Sequence, residues 1–129
     1  MSALIDVTSN EVRFEHGNPV KDTDVRNAEN QLDIMFADDY KEYLLTYGVG
    51  GWESHELTGL GCTERVNVVN VTIEEQKRRQ VPLQGMYVIE QANIDRIVIW
   101  QDINGKIYQT MRDSEPIFLC HSLAEYIKL

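Results

Sequence analysis

The sequence predicts an α+β fold in a single domain over residues 1–129, with helices packed on a mainly antiparallel sheet. Between residues 24 and 47, apolar residues recur at three- and four-residue spacing, as on one face of a helix. Between residues 86 and 119, short β-branched segments alternate with turn residues, as in a sheet. Helices followed by neighbouring strands are typical of α+β domains. With 129 residues and 43% apolar composition, the chain can bury one core.

The first half is predicted to hold a short strand and two helices. Residues 11–15 alternate apolar and charged side chains, which indicates the strand. The first helix places four apolar residues on one face: Val25, Ala28, Leu32 and Phe36. The second helix does the same: Tyr40, Tyr43, Leu44 and Tyr47. Asp22 or Thr23 is expected to cap the first helix and Asp38 the second, and Gly48 should end the second.

The second half is predicted to be mainly strand. Residues 52–60 suit one or two short strands, and residues 66–71 are β-branched enough for another. Thr72 and Glu75 match a capping box, which predicts a short helix through Arg79. Four further strands and a closing helix are expected in the following ranges: 86–91, 96–102, 106–110, 116–119 as an edge strand, and the helix after Ser122.

The acidic residues are concentrated in the chain segment that contains the two helices. The chain has a formal net charge of −9, and seven carboxylates against one lysine lie between residues 27 and 56. A negative surface disfavours nucleic acid and anionic membranes as partners and favours a cationic protein. No apolar run reaches the ~20 residues of a membrane span, and no signal peptide is recognisable, so we expect a cytoplasmic protein.

The sequence contains no motif that argues for catalysis, a metal or a cofactor. Its histidines and two cysteines lack the compact spacing of a zinc site. The run GVGGW, residues 48–52, follows a helix instead of a strand and matches no phosphate-binding loop. His55, Glu53 and Cys62 form the only conceivable catalytic cluster, and a small-molecule enzyme built on them stays open as an alternative.

Trp52 allows two interpretations. It follows two glycines and precedes Glu53, in a predicted loop that should not be wholly buried. An aromatic side chain among acidic residues on a loop is a candidate binding hot spot. Packing over one end of the sheet is the equally weighted alternative, whereas Trp100, within a predicted central strand, is expected in the core.

Taken in order, these features resemble the SUKH superfamily. Residues 18–51 are similar to its opening pair of helices, residues 57–61 to its short strand and turn, and SLAEYI to its closing helix. The family's opening positions are matched by the following residues: Glu29, Leu32, Asp39, Tyr40, Tyr43, Leu44, Gly50 and Gly51. Ala37 stands where the family often has proline, and Gly48 where some members carry asparagine.

The resemblance implies a non-enzymatic binding protein. Small bacterial members are immunity proteins that neutralise a toxin from the same locus, often a nuclease, and others resemble yeast cell-wall assembly regulators. An acidic surface suits binding to a basic, nuclease-like toxin, since it can mimic nucleic acid. The partner-binding residues are hypothesised to be Asp38, Asp39, Glu42, Trp52, Glu53, His55 and Glu56.

Three questions stay open at the level of sequence. A regulatory or scaffolding domain is the alternative to an immunity protein. The inhibitor could block a toxin's active site or an exosite. The chain shows no heptad repeat, so a monomer and a weak homodimer are equally compatible with it.

Overall fold

A computed structural model describes residues 2–92 and 94–129 of the chain. A short helix, α1 (Ala3–Asp6), continues into a π-helical turn (Val7–Glu11). The remaining helices and strands follow in this order: β1 (Phe14–His16), α2 (Asp22–Leu32), α3 (Asp38–Tyr47), β2 (Gly50–Trp52), β3 (His55–Glu56), a 3-10 turn (Glu64–Val66), α4 (Val68–Arg78), β4 (Tyr87–Gln91), β5 (Ile97–Gln101), β6 (Ile107–Met111), β7 (Ile117–Cys120) and α5 (Leu123–Lys128).

The strands form two antiparallel sheets, which confirms the α+β prediction. A small sheet has the order β1-β2-β3, and a larger sheet has the order β4-β5-β6-β7. The edge position predicted for residues 116–119 is confirmed, because β7 ends the larger sheet. An isolated bridge between Leu57 and Glu90 connects the segment after β3 to β4.

A β-bulge in β4 determines which side chains reach the main core. Val88 pairs with Trp100, but Glu90 pairs with Ile99, so the register shifts between them. The extra residue is Ile89, and both Ile89 and Glu90 are buried. Strict alternation would have placed Glu90 on the same face as Val88, whereas the bulge turns it towards the core.

Helix α3 lies at the centre of the main core. Tyr40, Tyr43 and Leu44 are fully buried along it. The Tyr40 hydroxyl is 2.8 Å from Thr58 Oγ1, and the Tyr43 hydroxyl donates to the Thr58 carbonyl oxygen at 2.8 Å. Thr58 Oγ1 donates in turn to the Val88 carbonyl oxygen. One threonine therefore connects the central helix to the larger sheet.

Helices α2, α3 and α5 lie in the predicted parts of the chain, but Phe36 follows the end of α2 at Leu32 instead of sharing its apolar face. The predicted caps of α2 and α3 were wrong. At the start of α2, neither Asp22 nor Thr23 is the N-cap; Lys21 is, and its N–H donates to the Asp24 carboxylate at 3.0 Å. At the start of α3 the N-cap is Ala37, whose N–H donates to the Tyr87 hydroxyl. A contact from the larger sheet has replaced the local cap that Asp38 was expected to supply.

The capping box predicted at Thr72 and Glu75 was also wrong. Helix α4 begins at Val68, with Asn67 Oδ1 accepting from two backbone N–H groups. Thr72 lies inside the helix, where its hydroxyl oxygen accepts from the Val88 N–H. Burial of the valines at helical spacing outweighed their preference for strand. In α5 the predicted Ser122 cap is confirmed, with the Glu125 N–H donating to its hydroxyl.

Gly48 and Gly85 together test whether the close approach of the Asn18 backbone to Gly48 requires a glycine there. Both have a positive φ, of +74° and +71°. A Cβ on Gly48 would clash with the Asn18 carbonyl oxygen, whereas a Cβ on Gly85 would meet nothing within 4 Å in the described residues. We expect Gly85→Ala to cost about 1–2 kcal/mol and Gly48→Ala about 3 kcal/mol or more in urea unfolding. Equal losses would contradict the clash.

Thr58→Val tests the polar connection between α3 and the larger sheet. The substitution preserves shape but leaves the Tyr40 hydroxyl and the Val88 carbonyl without the Thr58 hydroxyl. We expect a loss of about 1–3 kcal/mol in the free energy of unfolding. Thr46→Val, at a half-buried position of α3, is the control and should change stability by less than about 0.5 kcal/mol. A small effect at Thr58 would mean that its hydroxyl contributes little.

Candidate functional site

The predicted partner-binding residues form two groups that α3 separates. Asp38, Asp39 and Glu42 lie in the first turns of α3, whereas Trp52, Glu53, His55 and Glu56 belong to the hairpin of β2 and β3. The ten residues of α3 span about 15 Å at 1.5 Å per residue. Only the second group, Trp52, Glu53, His55 and Glu56, lines one groove.

Asp39 links three parts of the fold. Its carboxylate accepts from the Leu123 N–H at 2.8 Å, at the start of α5, and from Gln101 Nε2 at 3.0 Å. Gln101 is fully buried and also accepts from the Tyr87 hydroxyl. Burial raises the pKa of the Asp39 carboxyl, while these hydrogen bonds oppose the rise. These structural contacts account for Asp39, Glu42 is half-buried, and Asp38 is the exposed member of this group.

Trp52 is buried, contrary to the prediction that it could not be. It is 5% exposed, and its ring stacks on the His55 ring with centroids 4.5 Å apart. Phe14 lies on its other side, and Tyr126 of α5 meets it edge-on. Trp52 therefore packs beneath the small sheet, which was the alternative interpretation, and does not offer an accessible anchor.

His55 is held by a buried carboxylate from the larger sheet. Its Nδ1 is 3.1 Å from both oxygens of Glu90, which is 4% exposed. The Glu90 carboxylate also accepts from the Glu56 N–H and from the Tyr126 hydroxyl. Burial and the Glu90 charge raise the pKa of the Tyr126 phenol, which keeps it a donor. These contacts fix the hairpin against the larger sheet and α5.

The outer face of the small sheet forms an open groove of about 890 Å³. The register places Glu15 and Glu56 opposite Gly51 on neighbouring strands. Paired positions project to the same face, so two carboxylates flank a strand position that has no side chain. Glu53, in the turn between β2 and β3, also lines the groove. We call this groove, lined by Glu15, Gly51, Glu53 and Glu56, the acidic groove.

Two cations lie at the acidic groove. Arg13 lines it, and Arg65 forms a two-point contact with the Glu56 carboxylate at 2.7 and 2.8 Å. The hydrogen bonds from Arg65 hold the pKa of the Glu56 carboxyl below its usual range. Glu15 and Glu53 make no ion pair within the described residues, so they are the carboxylates available to a partner.

The arrangement does not favour the cluster of His55, Glu53 and Cys62 as an enzyme site. His55 and Glu53 line the acidic groove, but Cys62 does not, and His55 Nδ1 is hydrogen-bonded to the Glu90 carboxylate. Burial and the nearby Glu56 charge raise the pKa of the Cys62 thiol, which disfavours a reactive thiolate. Across residues 2–92 and 94–129, no three His, Cys, Asp or Glu side chains are arranged to hold a metal ion.

Sequence reasoning missed Glu15, Arg65 and Glu90. Glu15 lay in a predicted strand whose pairing partner was unknown, and Arg65 lies nine residues from Glu56 across an irregular segment. For Glu90 the sequence pattern was misleading. Strict alternation along β4 assigns Glu90 to the same face as Val88, whereas the bulge turns it towards the main core. The alternation of apolar and charged residues over 11–15 did indicate a strand. Pairing that strand with β2 would have placed Glu15 beside the predicted site.

Arg65→Gln tests the ion pair beside the acidic groove. We expect the Glu56 pKa to rise towards its ordinary value, as followed by the carboxyl carbon shift in an NMR titration. The pKa of Glu56 is lower in the folded protein than in the unfolded chain. The ion pair therefore stabilises the folded protein at any pH above the unfolded-state pKa, and this stabilisation is lost as the pH falls through the folded-state pKa. Arg65→Gln should therefore destabilise the protein at neutral pH and have less effect in acid.

Lys106→Gln is the control for this titration, since Lys106 is exposed and outside the acidic groove. It removes the same charge and should leave the Glu56 pKa unchanged. An equal rise in both variants would indicate a general field effect instead of the hydrogen bonds from Arg65.

None of the helices in the described residues has the length and apolar character needed to cross a membrane.

Comparison with known proteins agrees with this architecture. No curated protein matches the chain. A family model, SUKH_6, described as SMI1-KNR4 cell-wall, matches residues 22–127, which run from the start of α2 into α5. The chain therefore belongs to the SUKH_6 family of the SUKH superfamily, as the order of its helices and strands indicated.

Proposed function

We propose that this chain is an immunity protein that binds and neutralises a cognate toxin in the cytoplasm without catalysing a reaction. The toxin we propose is basic and nuclease-like, and the protein meets it as a monomer or weak homodimer. Membership of the SUKH_6 family supports a binding role, since the family is generally non-catalytic. The observation that favours a basic partner is the acidic groove, where Glu15 and Glu53 have no ion-pair partner among the described residues.

The acidic groove suits a cationic side chain of a partner. Glu15 and Glu56 lie on the strands either side of Gly51, so a lysine or arginine that lies along the groove can reach carboxylates from both strands. The groove is backed by the contacts of Glu90 with His55 and the Glu56 N–H. A rigid hairpin loses little conformational freedom on binding, which favours affinity.

The overall charge supports rapid association with such a partner. A net charge of −9 attracts a basic protein over long range and repels nucleic acid. Nucleases attract phosphate with basic surfaces, so the same carboxylates compete for the same cations. Exposed charges are screened by salt, and the association rate should therefore fall as ionic strength rises.

A regulatory or scaffolding domain is the second candidate. The family description refers to the cell wall, and this is the observation that favours a relation to cell-wall assembly regulators. Such a domain would also use a groove of this kind, but its partner would not be toxic. Toxicity of the partner therefore separates the two candidates.

Charge reversal in the acidic groove tests the proposal. Proteins captured by the tagged chain from its own host at low salt would each be expressed in a second bacterium, alone and together with the chain. We expect one captured basic protein to stop growth and the wild-type chain to restore it. Glu15→Lys/Glu53→Lys should weaken binding at least about 100-fold and abolish the rescue, since close charge pairs are worth several kcal/mol.

Asp22→Lys/Glu115→Lys is the matched control, with the same charge change at exposed positions outside the acidic groove. It should keep the rescue and lower affinity only slightly. Rescue by the Glu15→Lys/Glu53→Lys protein would place the interface elsewhere on the chain. Captured partners that are harmless when expressed alone would instead favour the scaffolding role.

A further inference from the structure

A cavity of about 320 Å³ opens on the larger sheet, on the side of α4. Its floor includes Trp100 and Thr110, whose side chains are joined by a hydrogen bond of 2.9 Å from Trp100 Nε1. Its walls come from the last turns of α4 and from the open end of the hairpin, where β5 begins and β6 ends. It shares no lining residue with the acidic groove.

The cavity is positively charged within a strongly negative protein. Four arginines and two acids line it: Arg78, Arg79, Arg96, Arg112, Glu75 and Asp113. Its formal charge is therefore +2, whereas the chain carries −9. The chain has 12 lysines and arginines in all, so a third of its cations face this one cavity. Like charges repel, so this grouping is unfavourable unless an anion offsets it.

Arg79 is fixed in place without being neutralised. Its guanidinium donates to three backbone carbonyl oxygens, those of Val81, Arg112 and Ser114, at 3.0–3.1 Å. An arginine has five N–H donors, so two are left for another acceptor. Carbonyl partners orient the guanidinium but carry no full negative charge. Arg79 is thus a preorganised cation at the cavity wall.

The two acids do not cancel the arginines. Glu75 is 7% exposed, accepts from Gln91, and lies 3.6 Å from Arg78. Asp113 accepts from the Gln80 N–H and so holds the turn after β6 against the segment that follows α4. Arg96 and Arg112 make no side-chain hydrogen bond or ion pair in the described residues, and both are exposed.

The backbone at the cavity rim is strained. Arg96 and Arg112 have left-handed φ values of 57° and 58°, and the Arg112 N–H faces the Arg96 carbonyl oxygen. This conformation costs a bulky residue about 1–2 kcal/mol, and such residues concentrate at functional sites. The pairing of Ile97 with Met111 places the two arginines at the same end of the hairpin.

We propose that this cavity binds a small anion that carries phosphate groups. Guanidinium groups match the oxygens of phosphate in two-point geometry, and a dianion would balance the formal charge of the lining. A volume of 320 Å³ admits a small molecule and is at the lower end of ligand pockets. The occupant contacts Arg78, Arg96 and Arg112 by ion pairs and the spare donors of Arg79 by hydrogen bonds.

Pyrophosphate, inorganic phosphate and citrate are suitable probes at constant ionic strength. The chain has two tryptophans, so its indole N–H signals in an NMR titration report on Trp100 at the cavity floor and Trp52 at the small sheet. We expect pyrophosphate to shift the Trp100 signal in a saturable manner and leave the Trp52 signal unchanged. Pyrophosphate should bind more tightly than inorganic phosphate, and both more tightly than citrate.

Arg96→Gln/Arg112→Gln and, separately, Arg78→Gln change exposed cavity residues and should leave the protein folded. Each should weaken pyrophosphate binding at least about tenfold. Lys106→Gln, a matched loss of charge outside the cavity, should leave binding unchanged.

Four results would overturn the proposal. The first is no saturable shift below about 10 mM pyrophosphate. The second is equal movement of both indole signals. The third is a loss of affinity in Lys106→Gln equal to that in the arginine variants. The fourth is binding of citrate in preference to both phosphates, which would make the cavity a carboxylate site. The test needs no toxin, so it is independent of the proposed immunity role.

Discussion

The structure depends on finding partners for the tyrosine hydroxyls that α3 buries. Tyr40 and Tyr43 fill the core with their rings, but a buried hydroxyl without a hydrogen bond would cost about 1–3 kcal/mol. Thr58 supplies acceptors for both, and its own hydroxyl and N–H donate to β4. Among the described residues, no buried side-chain nitrogen or oxygen lacks a partner. Satisfying these hydroxyls fixes where the central helix lies against the larger sheet.

The acidic groove depends on a second buried polar cluster. The bulge in β4 turns Glu90 into the core, where His55, the Glu56 N–H and the Tyr126 hydroxyl all reach it. A small three-stranded sheet with such short strands would be marginal by itself. The contacts of Glu90 hold the hairpin in one position, and they therefore also position the carboxylates on its outer face. The stability of the core and the form of the candidate binding surface are thus coupled.

The two candidate sites have opposite charge and lie on different sheets. The acidic groove presents carboxylates on the small sheet, and the cavity presents four arginines on the larger one. Some acidic residues that the charge count assigned to the surface are instead engaged inside the fold. Glu29 is buried and accepts from the Phe36 N–H, and Asp39 is committed to Leu123 and Gln101. The charge that a partner meets is therefore local, and the net charge of −9 describes only the long-range field.

By itself, the sequence determined the α+β class, the helices α2, α3 and α5 and the strands β4 to β7, because these follow from local periodicity and turn residues. Only the tertiary structure decided how α3 begins, since the Tyr87 hydroxyl that meets the Ala37 N–H comes from 50 residues away. It also decided that Trp52 is buried and that Glu15 joins Glu53 and Glu56 at one groove. The physical reason is that strand pairing and the β4 bulge set which face each side chain takes, and a shift of one residue reverses that face.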